Sequence, residues 1–302
     1  MIKKAVITAA GKGTRLYPAT NAVQKELFPL MDPDGIVKPV IQMIAEQAVE
    51  SGIEEICIVV NPGEAEQFRR HFTGLTASEN SAFRKKGKTW ALKQSERLED
   101  LRRRIVYVEQ NEQHGFGHAV WCARSFTEGA PFLLLLGDHV YVTDMKRSCI
   151  GQALQGFDLM KTTLLPVTQT PVEDLHLFGT LAGVPIEQHR RMYRVREIIE
   201  KPDKETARKQ LVTPGLPEGR FFTFFGMYAL SASVMQILDT HIQKNVRSGG
   251  EIQLTSALQE LVGSEGACAL EIQGQRLDMG TPGGYIETQT VLARRGSFFH
   301  KA

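Results

Sequence analysis

Several short stretches of this sequence carry residue types suited to phosphate or metal. The first is Gly11-Lys12-Gly13-Thr14-Arg15-Leu16, which follows the apolar run Ala5–Ala10. Glycines after a buried strand let the backbone approach a phosphate and turn its N–H groups toward it. Two familiar phosphate loops are excluded. Position 16 is leucine where the dinucleotide fingerprint needs a third glycine, and no Gly-Lys-Ser/Thr follows four spacer residues. A lone glycine pair is explained as well by a plain strand-to-loop turn. Charge tips the balance, because Arg15 lies four residues beyond Gly11 and Lys25 ten beyond Arg15. Loop amides, a guanidinium and an ammonium together suit a triphosphate or pyrophosphate. Each donor would neutralise charge that grows on a transferring or leaving phosphoryl group.

Two aspartates form a second set. Leu136-Gly137-Asp138-His139 and Arg276-Leu277-Asp278-Met279-Gly280 each place an Asp where a strand gives way to a turn. Either alone would serve as a turn cap. Brought to one sheet edge, the pair would suit Mg2+, which takes few protein oxygens and fills its shell with phosphate and water. Imidazole is a poor match for Mg2+, so His139 reads as a neighbour and not a ligand. Gly115-Phe116-Gly117-His118 reads as a glycine-rich turn opening a helix, with free N–H groups and a positive dipole end. On residue types alone, Glu200-Lys201 is a solvated surface pair worth little. Glu251, at the start of a predicted helix over Glu251–Val262, is ordinary dipole chemistry.

These residues need elements to position them. Ala5–Ala10, Glu55–Val60, Ile105–Val108 and Pro131–Leu136 read as buried strands, with helices over Val40–Val49 and Ala119–Ser125. Strands apolar on both faces and separated by helices imply an α/β fold with a mostly parallel sheet covered on both sides. Right-handed crossovers then put the strand C-termini on one edge, where open α/β sheets bind ligands. Gly11, Asn61 and Gly137-Asp138 fall at such ends. Beyond residue 160 the pattern changes to strands over Thr162–Thr168, Phe178–Val184, Val195–Glu200, Phe221–Ala229 and Cys268–Gln273, with a last helix over Pro282–Leu292. This second half reads as a mixed or antiparallel extension of the same sheet. The whole chain therefore reads as one domain of two halves, residues 1–145 and residues 146–302 with the C-terminal helices. The Lys-, Arg- and Glu-rich stretch Ala77–Arg104 reads as a solvated helical excursion, since its charges alternate in sign.

Composition agrees. The chain has 302 residues, 42% hydrophobic and 23% charged, with a formal net charge of +2, too near neutral for a protein that works by neutralising nucleic-acid phosphates. Cys57, Cys122, Cys149 and Cys268 are scattered without a C-x-x-C pair, as expected of reduced, buried thiols in the cytoplasm. No stretch approaches the roughly 20 apolar residues of a membrane helix, and the N-terminus does not read as a signal peptide.

Gly11-Lys12-Gly13-Thr14-Arg15-Leu16-Tyr17-Pro18-Ala19-Thr20 followed by Lys25-Glu26-Leu27-Phe28-Pro29 resembles the signature of the sugar-phosphate nucleotidyltransferases. Within that superfamily the chain is most similar to the bacterial UTP–glucose-1-phosphate uridylyltransferases, from about Ile2 to Tyr285 and with five motifs in the family's order. The resemblance implies a Rossmann-like three-layer α/β/α nucleotidyltransferase fold with a β-rich sugar-binding extension. It implies a Mg2+-dependent transfer of UMP from UTP to glucose 1-phosphate, giving UDP-glucose and pyrophosphate. Ala10, Gly11, Gly13, Thr14, Gln110, Gly115 and His118 would then meet the nucleotide, with Gln110 at the uracil edge. Related thymidylyltransferases carry another residue at the position of His118, which favours UTP over dTTP.

The same resemblance gives Arg15, Lys25 and Lys201 to catalysis and Asp138 and Asp278 to the metal. Gly179, Glu200, Lys201 and Glu251 go to the sugar phosphate, with Gly179 letting the hexose lie against the backbone. Members commonly assemble as homodimers or homotetramers, to which the Phe298-Phe299 pair could contribute. Two positions depart from the family pattern. Asn21 stands where a lysine is usual, and Phe221 where an asparagine is. The same chemistry on dTTP or another hexose 1-phosphate is the near alternative, and a non-catalytic nucleotide-sugar sensor the distant one.

Overall fold

The computed structural model describes residues 1–296; Phe298-Phe299 lie outside the described residues. Ten strands form one sheet in the order Arg220–Phe224, Gly179–Pro185, Met192–Glu200, Cys268–Glu271, Leu164–Pro171, Met227–Leu230, Phe132–Leu136, Lys4–Ala9, Glu55–Val60, Ile105–Glu109. The last four pair in parallel. Met227–Leu230, Met192–Glu200 and Arg220–Phe224 run against the rest, so the other seven point one way. Both faces are covered. Along the first strand Ala5, Ile7 and Ala9 enter one hydrophobic cluster and Val6 the opposite one. That two-sided burial is why this strand is apolar without alternation.

The extension closes on itself. Arg220–Phe224 pairs with Gly179–Pro185 on one side and with the outer half of Leu164–Pro171 on the other. Together with Met192–Glu200 and Cys268–Glu271 these strands make a ring of five. A third hydrophobic cluster, containing Val172, Leu175, Leu211 and Phe221, sits on this extension. Phe221, at 4% exposure, is thus a core residue.

The sequence reading needs correction at three points. The single strand expected over Phe221–Ala229 is two, Arg220–Phe224 and Met227–Leu230. The chain bends between them because the Phe225 N–H donates to the Pro166 carbonyl and Tyr141 Oη donates to the Gly226 carbonyl at 2.7 Å. The helices Cys149–Met160, Lys204–Gln210 and Ser233–Gln243 were not foreseen. Nor were two ribbons of short strands, Pro29–Met31 with Val37–Pro39 and His139–Val142 with Gln275–Asp278.

The Pro29–Val37 ribbon fixes the exit of the segment that carries Lys25. Its anchor is Lys38, 2% exposed, whose ammonium bonds to Asp32, to Asp34 at 2.6 Å and to Glu46 at 3.0 Å. Burial would lower the Lys38 pKa, but the three carboxylates override it and raise it. Glu46 belongs to the helix Val40–Glu50 and also meets Arg97, which ties ribbon and helix together. Replacing Lys38 with Met takes one counter-charge from the buried Glu46 and the only one from the half-buried Asp32 among the described residues. Lys38→Met is expected to cost about 3 kcal/mol, read as a lower urea midpoint at unchanged slope.

Candidate active site

The C-terminal ends of the parallel strands deliver four groups to one edge: Ala10-Gly11 after Lys4–Ala9, Asn61 after Glu55–Val60, Gln110 after Ile105–Glu109, and Gly137-Asp138 after Phe132–Leu136. The lower rim of the five-strand ring faces this edge with Gly179, Glu200 and Phe224, which the register places side by side. Between them lies a cleft of about 690 Å3 lined by both halves of the chain.

Asp138 and Asp278 are 140 residues apart in sequence, and a ladder brings them together. His139–Val142 runs antiparallel to Gln275–Asp278 with His139 opposite Asp278, and the Met279 N–H donates to the Asp138 carbonyl at 3.1 Å. Gly280 lies at their meeting point. A side-chain atom added there would sit 2.8 Å from Asp138 Oδ2, 3.0 Å from Asp278 Oδ1 and 3.0 Å from Arg15 Nη2. Lys25 Nζ donates to Asp138 Oδ2 at 2.5 Å and lies beside Gly11. Arg15, Lys25, Asp138 and Asp278 therefore converge on one point of the cleft.

Burial sets the charge states here. It pushes the Asp138 carboxyl up, but His139 and Lys25 override it and hold the group well below the usual range. Burial lowers Lys25, and Asp138 and Glu26 more than restore it, so Lys25 stays charged. Glu26 behaves in the opposite way. At 1% exposure, and with one carboxyl oxygen unpartnered among the described residues, burial raises it to about 8 despite the Lys25 charge.

The Asp138–Asp278 pair fits a hard divalent ion. Their carboxylate oxygens and a nitrogen of His139 all lie within 4.8 Å of one another, and oxygen donors are the set Mg2+ takes. His139 Nδ1 is already hydrogen-bonded to Asp138 Oδ1 at 2.8 Å, and its Nε2 stands 3.9 Å from Asp278 Oδ2.

Twelve of the fifteen residues expected at the site line the cleft: Ala10, Gly11, Arg15, Lys25, Gln110, Gly115, Asp138, Gly179, Glu200, Lys201, Glu251 and Asp278. Gly13, Thr14 and His118 do not. Gly13, in the left-handed region, caps the short helical turn Thr14–Leu16, which carries Thr14 away. His118 packs behind Gln110. Several local expectations are corrected as well. The helix after Gly115 spans only Phe116–Cys122, and the Gly117 N–H is occupied by the Ile252 carbonyl at 2.8 Å. Glu251 is not in a helix, since the next one begins at Leu254 and Glu251 bridges to Ser248. At Gly179 the space a side chain would need is filled by the Phe224 ring and the Glu200 carboxylate. Asn21 sits exposed in the short helix Ala19–Ala22, outside the cleft lining.

Lining residues that residue-type reasoning passed over include Glu26, Phe178, Arg276 and Thr255. Arg276 stacks on the Phe178 ring at 4.2 Å and donates to the Phe224 carbonyl. Thr255 Oγ1 donates to Glu200 Oε2 at 2.5 Å, which orients that carboxylate. Arg276 stood within a recognised motif beside Asp278, and its position in the strand was the signal available.

The nucleotidyl transferase family model matches residues 4–295. The chain belongs to the nucleotidyl transferase family. Among its relatives, a UTP–glucose-1-phosphate uridylyltransferase of Bacillus subtilis (strain 168) is 35% identical over 292 residues, 97% of this chain and 91% of the relative. A UTP-bound UGPase of Acinetobacter baumannii is similar in structure, with a TM-score of 0.78 and 25% identity over 96% of this chain and 93% of that one. The fold also matches that of a UDP-glucose pyrophosphorylase complexed with UDP-glucose, with a TM-score of 0.77 at 24% identity over 98% of this chain and 100% of that one.

In this nucleotidyl transferase the buried Glu26 has a measurable signature. The folded chain holds it neutral up to about 8, while the unfolded chain ionises it near 4.5. Between these values the unfolded state binds fewer protons, so this group's contribution is fully present below about 4.5 and is lost as pH rises to about 8. Glu26→Gln removes that loss. The variant is expected to match wild type in urea unfolding near pH 4.5 and to exceed it increasingly up to pH 8.

Proposed function

We propose that the protein catalyses the reversible reaction of UTP with α-D-glucose 1-phosphate to give UDP-glucose and pyrophosphate. The observation that carries this reading is the convergence of Arg15 and Lys25 with Asp138 and Asp278 at one lip of a cleft whose far wall offers Glu200 and Lys201. The names of the curated relatives support the choice of substrates. Ala10, Gly11, Gln110 and Gly115 are assigned to the nucleotide, and Gly179, Glu200, Lys201 and Glu251 to the sugar phosphate. Gly13 is assigned to loop geometry.

The chemistry asks for little proton transfer. A sugar phosphate is already an anion, so its oxygen needs no general base. The difficulty is aligning two polyanions for in-line displacement at the α-phosphorus. Arg15 and Lys25 stabilise charge on the α-phosphate and on the departing pyrophosphate. Lys25 exchanges its bond with Asp138 for one to a phosphate oxygen. Asp138 and Asp278 would hold Mg2+, which when bound neutralises nucleotide phosphate charge. Lys201, 58% exposed and in the left-handed region at φ 45°, is free to swing onto the nucleophile's phosphate. Glu200, oriented by Thr255, accepts from sugar hydroxyls.

The four free, buried cysteines fit a reducing cytoplasm. Among the described residues no helix is long and apolar enough to cross a membrane. Homodimeric or homotetrameric assembly is part of the proposal and is read by sedimentation.

Lys25→Ala or Asp138→Ala is expected to lower kcat about 10²–10³-fold with a native circular dichroism spectrum and a lowered thermal midpoint, since each breaks a buried ion pair; near-normal kcat in either refutes its role. In a panel of nucleoside triphosphates and hexose 1-phosphates scored by Mg2+-dependent pyrophosphate release, UTP with glucose 1-phosphate should be fastest. Preference for dTTP or another hexose 1-phosphate would reassign the substrates. UDP-glucose binding without pyrophosphate release would make the protein a sensor.

A further inference from the structure

Gln110 is 3% exposed, yet it lines the cleft at the end of Ile105–Glu109. Its Nε2 approaches two groups, the Gly115 carbonyl at 3.2 Å and His118 Nδ1 at 3.1 Å. The carbonyl can only accept, so the atom facing it is the amide nitrogen, and His118 Nδ1 must accept the second N–H. That places the imidazole proton on Nε2. Burial, followed by the neighbouring His114, holds the His118 pKa below the usual imidazole range, with Glu112 opposing and Arg124 assisting, so the ring is neutral near pH 7. The ring stacks on Trp121 at 5.7 Å and meets His114 at 5.2 Å and Cys122 Sγ at 3.9 Å. Among the described residues none donates to Gln110 Oε1. The amide thus offers the cleft a carbonyl oxygen, with both its N–H groups directed into the protein.

We infer that His118 is a positioning residue for base selection: by accepting from Gln110 Nε2 it fixes the amide so that a lone acceptor faces the nucleobase. An acceptor there pairs with the N3–H of uracil and meets a lone pair at N3 of cytosine. A turned amide would present N–H groups and favour the reverse. The inference rests on the proposed use of a uracil nucleotide, and it explains why a residue absent from the cleft lining bears on the base.

Dissociation constants for UTP and CTP, measured by calorimetry on the full chain without sugar phosphate, test it. Wild type should prefer UTP. In His118→Phe, which keeps a ring against Trp121 but has no acceptor, the UTP-over-CTP ratio should fall about tenfold. In His118→Asn, whose Oδ1 stands where Nδ1 stood, the ratio should be retained. An unchanged ratio in His118→Phe, or an equal loss in both variants, overturns the inference while leaving the uridylyl reading intact. A wild type without preference for UTP overturns that reading instead. Nitrogen-15 shifts of the wild-type His118 ring give a result that does not depend on how the variants fold. A protonated Nε2 with a bare Nδ1 is expected, and the opposite tautomer overturns the inference.

Discussion

The site depends on one ladder of backbone hydrogen bonds, the antiparallel pairing of His139–Val142 with Gln275–Asp278. It sets two like-charged carboxylates side by side at a sheet edge, Asp138 buried and Asp278 half-buried, an arrangement that costs free energy unless cations are supplied. Lys25 and Arg15 supply them, from a loop that leaves the neighbouring strand. A slip of one residue in that ladder would turn Asp278 to the other face of its ribbon, away from Asp138.

The remaining architecture serves this charge cluster. Parallel strands bring their ends to one edge because each must return through a crossover. The loop between the first strand and Lys25 is held at its far end by Lys38 and its three carboxylates. The sugar-side wall stands opposite because Arg220–Phe224 pairs beyond the end of the first half of the sheet, along the outer part of Leu164–Pro171. Each device acts at a distance from the cleft and fixes the position of a group within it.

Much of this was legible in the residues. The strand–loop–helix alternation of the first half gave the sheet and its binding edge, and Asp138 stood out because it ends an apolar run at glycine. Partnership across long separations was not legible. A strand ending at Asp278 was expected, but nothing local to Gln275–Asp278 names His139–Val142 as its partner. Gly117 misled for a related reason: a small residue at a helix start suggested a free N–H for a ligand, whereas that N–H is taken by the Ile252 carbonyl. His118 read as a nucleotide contact on motif position, and its effect on the site passes through Gln110.

The ring of five strands has a mechanical consequence. A hoop of continuous hydrogen bonding has no loose margin from which a single strand can peel, so the sugar-side wall must travel as a solid body. It is tied to the parallel half by the pairing of Ala229 with Leu164 and by connecting segments, of which the Phe225-Gly226 bend is one. Gly179, Glu200 and Phe224 sit on adjoining strands of that hoop, so its closure holds their mutual spacing.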